Sequence, residues 1–337
     1  MLRHAAFAVI AVLTAAPNLA AMPIYNNTDD RQFTESVQDA KLLRLAGASV
    51  ALVEAKNISP KGFMSGEPLT ICEGEDYIDE VKISFCSGVL IAPDTVATAA
   101  HCLAGKQLKD IRVVFGYTQR EDYPNVKPEQ LYEITAASSG LPDSLSKDIA
   151  LIRLNRPASG CAPVKIADAT PRAGSAVITA GHPLGMPQML QSNGSITKVS
   201  SGKTFFMTDL DNNWGQSGSP VFDADGKLLG IVQGNLIPNK PGATSDFYFD
   251  EDARCYRHRR ENIAPMQAAE NELPAHDRED LKSIADKKNG KFSIMSGSAV
   301  TCIAPFLKQL EAQAQGAPLK PAAPTSSAKA AKLKLAF

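Results

Sequence analysis

Gly215-Gln216-Ser217-Gly218-Ser219-Pro220 sets a serine between glycines in a stretch built for a sharp, exposed turn. Presented that way, the Ser217 hydroxyl reads as a nucleophile. Such a hydroxyl is weak near neutral pH unless a base takes its proton as it attacks, and an imidazole, with a pKa of about 6.5, suits that task. Working outward, Thr98-Ala99-Ala100-His101-Cys102 lies upstream, and Asp148-Ile149-Ala150-Leu151-Ile152-Arg153-Leu154 lies between the two. His101 is the candidate base. Asp148 is the candidate for the buried carboxylate that holds the imidazole tautomer and stabilises the imidazolium formed during acyl transfer.

Taken singly, each residue has an ordinary reading. A serine between glycines is a loop, an isolated histidine is structural or solvated, and an aspartate opening a strand is a cap. The conjunction decides the matter: three segments in the order His, Asp, Ser, each in a strand or loop context, with Cys102 directly after the histidine. Glycine at 215 and 218 also fits a backbone that turns its N–H groups inward, which often requires positive φ or a close approach.

Together with the alternating run Val81 to Pro93 before His101, these segments resemble the trypsin/chymotrypsin-like serine endopeptidases. Gln216 rather than Asp before the serine points to their bacterial V8-like branch. The resemblance implies an all-β fold of two antiparallel six-stranded β-barrels with the site in the cleft, a C-terminal helix, and an oxyanion hole made by the backbone N–H groups of Gly215 and Ser217. It gives Asp211, six residues before the nucleophile, two readings: the bottom of the pocket for the side chain preceding the cut bond, where a carboxylate favours Arg or Lys, or a structural Asp as in V8-like relatives, with Asp209 close by complicating the alignment. It also offers the backbone of Gln233, Gly234 and Asn235 to an extended substrate as an added strand. Glutamate preference is disfavoured, because Leu229–Asn235 holds no histidine. In pancreatic-type enzymes a freed N-terminus pairs with an Asp immediately before the serine, and Gln216 excludes that salt bridge here.

Short strands with turn signals run over Val81–Ile91, Thr95–Ala99, Ile111–Tyr117, Leu131–Ala137 and Asp148–Leu154, which suits a first barrel. A second set covers Ala176–Ala180, Gly194–Val199, Thr204–Leu210, Pro220–Phe222 and Leu228–Gln233, with a hairpin turn at Asp223–Gly226. The expected organisation is a signal peptide at 1–21, an N-terminal arm or propeptide at 22–66, and a protease domain at 67–310 divided near 160. A charged insertion over about 235–295 carries a helix at 278–288. Ala299–Leu310 reads as the last strand entering the C-terminal helix, followed by a disordered Ala/Pro/Lys-rich tail at 311–337.

Met1-Leu2-Arg3-His4, the apolar run Ala5–Ala16 and Leu19-Ala20-Ala21 read as a secretory leader, so the protein is expected to be exported, either secreted or periplasmic. Six cysteines in an oxidising space favour disulfides. Cys86 and Cys102 flank the strand-loop-strand that delivers His101, and the resemblance implies the same pair. Cys72, Cys161, Cys255 and Cys302 allow three pairings, of which Cys72 with Cys161 and Cys255 with Cys302 best fits the chain order. Cys255-Tyr256-Arg257-His258 lacks a second ligand pair at zinc-like spacing, so neither metal nor cofactor is expected. Net charge is −1 and charged residues are 21% of the chain, so no basic field points to nucleic acid. No run later than the leader is long enough to span a bilayer. The expected partners are protein or peptide substrates met by a monomer. Two other readings are a catalytically silent protease-like binding module, which the complete set of reactive residues disfavours, and an esterase using the same triad.

Overall fold

The computed structural model describes residues 24–25, 29–69, 71–77, 80–142, 144–168, 170–236, 247–258, 260–261, 265–268, 277–288, 291–295 and 297–307. The expected leader and tail lie outside them. Two closed six-stranded antiparallel barrels form the body of the molecule, as the resemblance implied.

The main elements are β1 (Gln32–Phe33), α1 (Ala40–Gly47), β2 (Ser49–Glu54), β3 (Ser84–Ala92), β4 (Thr95–Thr98), β5 (Ile111–Phe115), β6 (Leu131–Ser139) and β7 (Ala150–Leu154). The second half contributes β8 (Ala176–Gly181), β9 (Met189–Val199), β10 (Phe205–Thr208), β11 (Pro220–Asp223), β12 (Leu228–Leu236), α2 (Arg278–Ile284) and β13 (Gly297–Cys302). The first barrel closes in the order β7-β4-β3-β2-β5-β6. The second closes as β8-β11-β12-β13-β10-β9, with β1 added on β9.

β2 corrects the expected boundary at residue 67, because it is an integral strand of the first barrel. Val50 and Leu52 pack into the barrel core, while Ala51 and Val53 face a second apolar cluster with Met64, Ile83, Val114 and Tyr117. A strand buried on both faces shows no polar alternation, so the stretch 46–53 reads in sequence only as an apolar patch. α1 leads into it. Asp39 caps that helix, accepting from the Lys41 and Leu42 amides at 2.7 and 3.1 Å, and Leu45 and Ala46 reach the same core. β1 lies even earlier in the supposed arm and belongs to the second barrel, with Phe33 opposite Met189 and Gln32 opposite Leu190.

Cys86 and Cys102 form a disulfide. The other expected pairings need correction: Cys72 joins Cys255, and Cys161 and Cys302 are free thiols. The physical reason is the hairpin Phe247–Asp250 with Cys255–His258, which docks beside residue 71. Ile71 bridges Tyr256 and the Cys72 amide donates to the Tyr256 carbonyl at 2.8 Å. Cys302 instead ends β13 inside the second barrel's core.

The charged insertion is folded where described. Its helix α2 stops at Ile284 rather than 288, because Asp286–Lys288 pairs as a strand with Lys291–Met295. Leu281 and Ile284 pack with Leu145, Phe205 and Ile294, bringing the insertion beside the loop that precedes Asp148. The final strand ends at Cys302, a helical turn covers 304–307, and the expected C-terminal helix beyond it lies outside the described residues.

Candidate active site

Register in the first barrel brings His101 and Asp148 together. Thr98, the last residue of β4, stands opposite Ala150, the first of β7. The chain leaving β4 and the chain entering β7 therefore meet at one end of that pair. His101 sits on a tight turn over Ala100–Cys102. One oxygen of Asp148 accepts from the His101 amide at 2.9 Å and the other from the ring Nδ1 at 2.6 Å. Asp148 is fully buried. With Nδ1 donating to the carboxylate, Nε2 is the nitrogen left to act as a base.

The second barrel presents Ser217 just before β11. Gly215 and Gly218 adopt φ of +91° and +88°, and the turn is stitched to both barrels. The Gly218 amide donates to the Val232 carbonyl at 2.8 Å, the Ser219 amide to Gln216 at 2.9 Å, and the Ser87 amide to the Ser217 carbonyl at 2.7 Å. A Cβ on Gly218 would sit 2.0 Å from the Ser87 carbonyl oxygen, so glycine is required by space as well as by φ. Cys102 links the two halves: its Sγ lies 3.9 Å from His101 Nε2 and 3.6 Å from the Ser217 carbonyl oxygen. The Ser217 hydroxyl donates to the Gln233 carbonyl at 2.9 Å. Neither the Gly215 nor the Ser217 amide donates to an acceptor among the described residues.

Ser87 on β3 is a residue that motif reading passed over. Its hydroxyl donates to the Gly215 carbonyl at 2.9 Å and accepts from the His182 amide at 3.0 Å, while Thr98 Oγ1 donates to its carbonyl at 2.6 Å. It thereby clamps the Ser217 turn to the loop after β8. The only signal for it was its place between Cys86 and Gly88. His182 itself is a buried loop residue. Its ring stacks on Tyr117 with centroids 5.2 Å apart, its Nδ1 lies 3.1 Å from the Met186 carbonyl, and burial drives its pKa down to about 4.

Asp211 departs from expectation. It is 1% exposed, and its carboxylate accepts from the Tyr25 amide at 2.7 Å, the Asp30 amide at 3.3 Å and Gln191 Nε2 at 3.3 Å. Burial raises its pKa to about 7, although Arg31 nearby favours the charged form. A carboxylate covered by the chain's own N-terminal segment is not the open floor of a pocket for Arg or Lys.

Gln233, Gly234 and Asn235 lie on β12, which pairs with β11 only as far as Ile231 and with β13 beyond it. The side of 233–235 away from β13 is thus a sheet edge near Ser217, paired with no other strand among the described residues. The Gln233 and Asn235 side chains point into the protein. Gln233 Nε2 donates to the Ser144 and Leu145 carbonyls, both at 2.8 Å, and Asn235 Nδ2 to the Asn212 carbonyl at 2.8 Å. The Leu145 amide in turn donates to Asp277 of the insertion at 3.1 Å.

Cys86, His101 and Cys102 place three potential metal-ligand atoms within 4.8 Å, but both sulfurs are spent in the disulfide. No helix among the described residues is long and apolar enough to cross a membrane.

Residues 86–231 match the family model described as a trypsin-like peptidase domain. Coagulation factor XII of Sus scrofa is 39% identical over 84 residues, covering 23% of this chain and 13% of that protein. Submandibular glandular kallikrein-9 of Rattus norvegicus is 24% identical over 207 residues, covering 50% of this chain and 77% of the relative. A solved structure of a Glu endopeptidase shares 15% identity at a TM-score of 0.41, covering 69% of this chain and 91% of that one. The chain spans 13% of the length of the factor XII relatives it matches.

Proposed function

We propose that this chain is an exported serine endopeptidase that cuts peptide bonds through Ser217, His101 and Asp148. The observation that carries the reading is the paired grip of Asp148 on the amide and Nδ1 of His101, beside a serine turn whose glycines take positive φ. The trypsin-like match over residues 86–231 supports the same chemistry. Gln216 before the serine favours the V8-like branch.

In the proposed reaction Ser217 Oγ attacks the carbonyl carbon while its proton passes to His101 Nε2, which requires the hydroxyl to rotate away from the Gln233 carbonyl. The resulting oxyanion receives the Gly215 and Ser217 N–H groups, each such donor being worth roughly 3 kcal/mol in the transition state. Collapse breaks the C–N bond, and His101 returns the proton to the leaving amine. Water, deprotonated by His101, then hydrolyses the acyl-serine ester and regenerates the hydroxyl. The substrate lies as an extra strand along Gln233–Asn235. Asp148 keeps Nδ1 as the donor throughout and stabilises the imidazolium.

Export is supported by the leader-like Met1–Ala21 and by two disulfides, which persist in oxidising compartments. The test is cleavage of a diverse peptide library by the exported protein, read by mass spectrometry beside Ser217→Ala. Cuts lost in the variant are expected, without enrichment of Arg or Lys before the cut bond. Equal cutting by both proteins would end the proposal. Turnover of esters alone, with no peptide cut, would favour the esterase reading.

A further inference from the structure

The N-terminal segment that sequence alone reads as either an arm or a propeptide carries a buried cation into the loop before Ser217. Arg31 is 5% exposed, and its guanidinium donates to Asn213 Oδ1. Its counter-ion is supplied two residues away: Arg31 Nε and Nη2 reach the two oxygens of Asp29 at 2.7 and 2.5 Å. Tyr77 donates its hydroxyl to Asp29 at 2.8 Å, and its ring centroid lies 5.8 Å from the Arg31 guanidinium carbon. Burying an ion pair is a poor way to gain stability, since desolvation offsets much of the attraction. A fixed, forked donor is a good way to orient an amide.

From Asn213 the path to the nucleophile is short. The Asn213 amide donates to Gln216 Oε1 at 2.7 Å, and the Gln216 amide donates back to the Asn213 carbonyl at 3.0 Å. Ser217 follows directly. The segment delivering Arg31 is itself fixed to the second barrel, since β1 pairs with Met189 and Leu190 and the Thr34 amide donates to the Gln188 carbonyl at 3.2 Å. On its other side the Tyr25 and Asp30 amides hold Asp211.

We propose that Arg31, charge-balanced by Asp29, is a positioning residue that orders the Asn213–Ser217 loop, so that the segment around it is a retained part of the working enzyme rather than a propeptide to be discarded. The proposal rests on the serine endopeptidase reading only for its kinetic consequence. The structural consequence, a loop held by Arg31, stands on the contacts alone.

The experiment compares the full exported chain with Arg31→Met, Arg31→Lys and Asp29→Asn. Hydrogen exchange at the Asn213, Gln216, Gly218 and Ser219 amides is measured alongside the rate of fluorophosphonate labelling. Arg31→Met is expected to speed exchange at these four amides while the strands of the first barrel keep wild-type protection. It should slow labelling at least about tenfold, within the roughly 100-fold that a 1 Å misplacement can cost. Peptide turnover should lose kcat more than it gains KM. Arg31→Lys should recover part of both losses, and Asp29→Asn should fall between. Unchanged exchange in Arg31→Met would overturn the proposal whether or not the protein labels. Faster labelling in Arg31→Met than in wild type would also overturn it, identifying the segment as a plug. Normal loop protection in a wild-type protein that never labels would count against the endopeptidase reading and leave the clamp standing on its exchange result.

Discussion

The two halves of the site are supported in different ways. On the base side, His101, Asp148 and Cys102 are positioned within one barrel by adjacent strands, a short disulfide loop and a carboxylate that grips both ends of the histidine. On the nucleophile side, the turn around Ser217 is held from elsewhere: by Ser87 of the first barrel, 128 residues away from Gly215, and by Arg31, 182 residues away from Asn213. The contrast separates the chemistry, which clusters in recognisable segments, from the scaffolding of that chemistry, which does not.

The largest expected effects come from breaking the reactive groups themselves. Ser217→Ala should lower peptide turnover by on the order of 10^6, and Asp148→Asn by on the order of 10^4, with the fold retained as judged by circular dichroism. A loss of less than about tenfold in either, measured with one defined peptide, would dissolve the triad assignment.

The next effects probe the nucleophile scaffold through stability. Gly218→Ala should destabilise by about 3 kcal/mol or more in urea unfolding, because positive φ and the contact with the Ser87 carbonyl act together. Gly226→Ala is the comparison. It shares positive φ in the β11–β12 hairpin, but its nearest neighbours are side-chain atoms at 3.2 and 3.3 Å, so it should cost about 1 kcal/mol. Equal costs would mean that backbone strain, not the clamp to Ser87, makes residue 218 special. Ser87→Ala leaves the Gly215 carbonyl and the His182 amide without their partner. It should cost about 1–3 kcal/mol and slow labelling as well.

How much of this was legible in the sequence follows the same division. His101, Asp148 and Ser217 could be proposed because the chemistry they would perform dictates residue types in local contexts, and most barrel strands could be read as short runs between turn signals. β2 could not be placed, since burial on both faces erased its alternation. The Cys72–Cys255 bridge spans 183 residues and depends on how the insertion folds back, which spacing does not encode. The two readings of Asp211 could not be separated, because its position relative to Ser217 was visible while the segment that covers it was not. Arg31 left no mark at all, as a charged residue in a polar stretch gives no hint that it is buried.

The remaining effects come from pH. Burial lowers the His182 pKa to about 4, against about 6.5 in the unfolded chain, which therefore takes up the proton first. Its contribution to stability is complete above about pH 6.5 and is lost as pH falls towards about 4. Asp211 acts in the opposite sense: burial raises its pKa to about 7, so its cost to stability grows as pH rises from about 4 through about 7. Stability measured across that window should fall less steeply towards acid in His182→Gln. In Asp211→Asn the penalty at neutral pH should be relieved. Parallel pH curves for wild type and both variants would contradict these assignments.

The most direct measurement is intact-mass and peptide-map analysis of the exported protein after reaction with a fluorophosphonate, run beside His101→Ala and Ser217→Ala. One adduct per chain is expected, located on Ser217, formed much more slowly in His101→Ala and absent in Ser217→Ala. An unmodified wild-type protein, or an adduct on any other residue, would contradict the triad assignment.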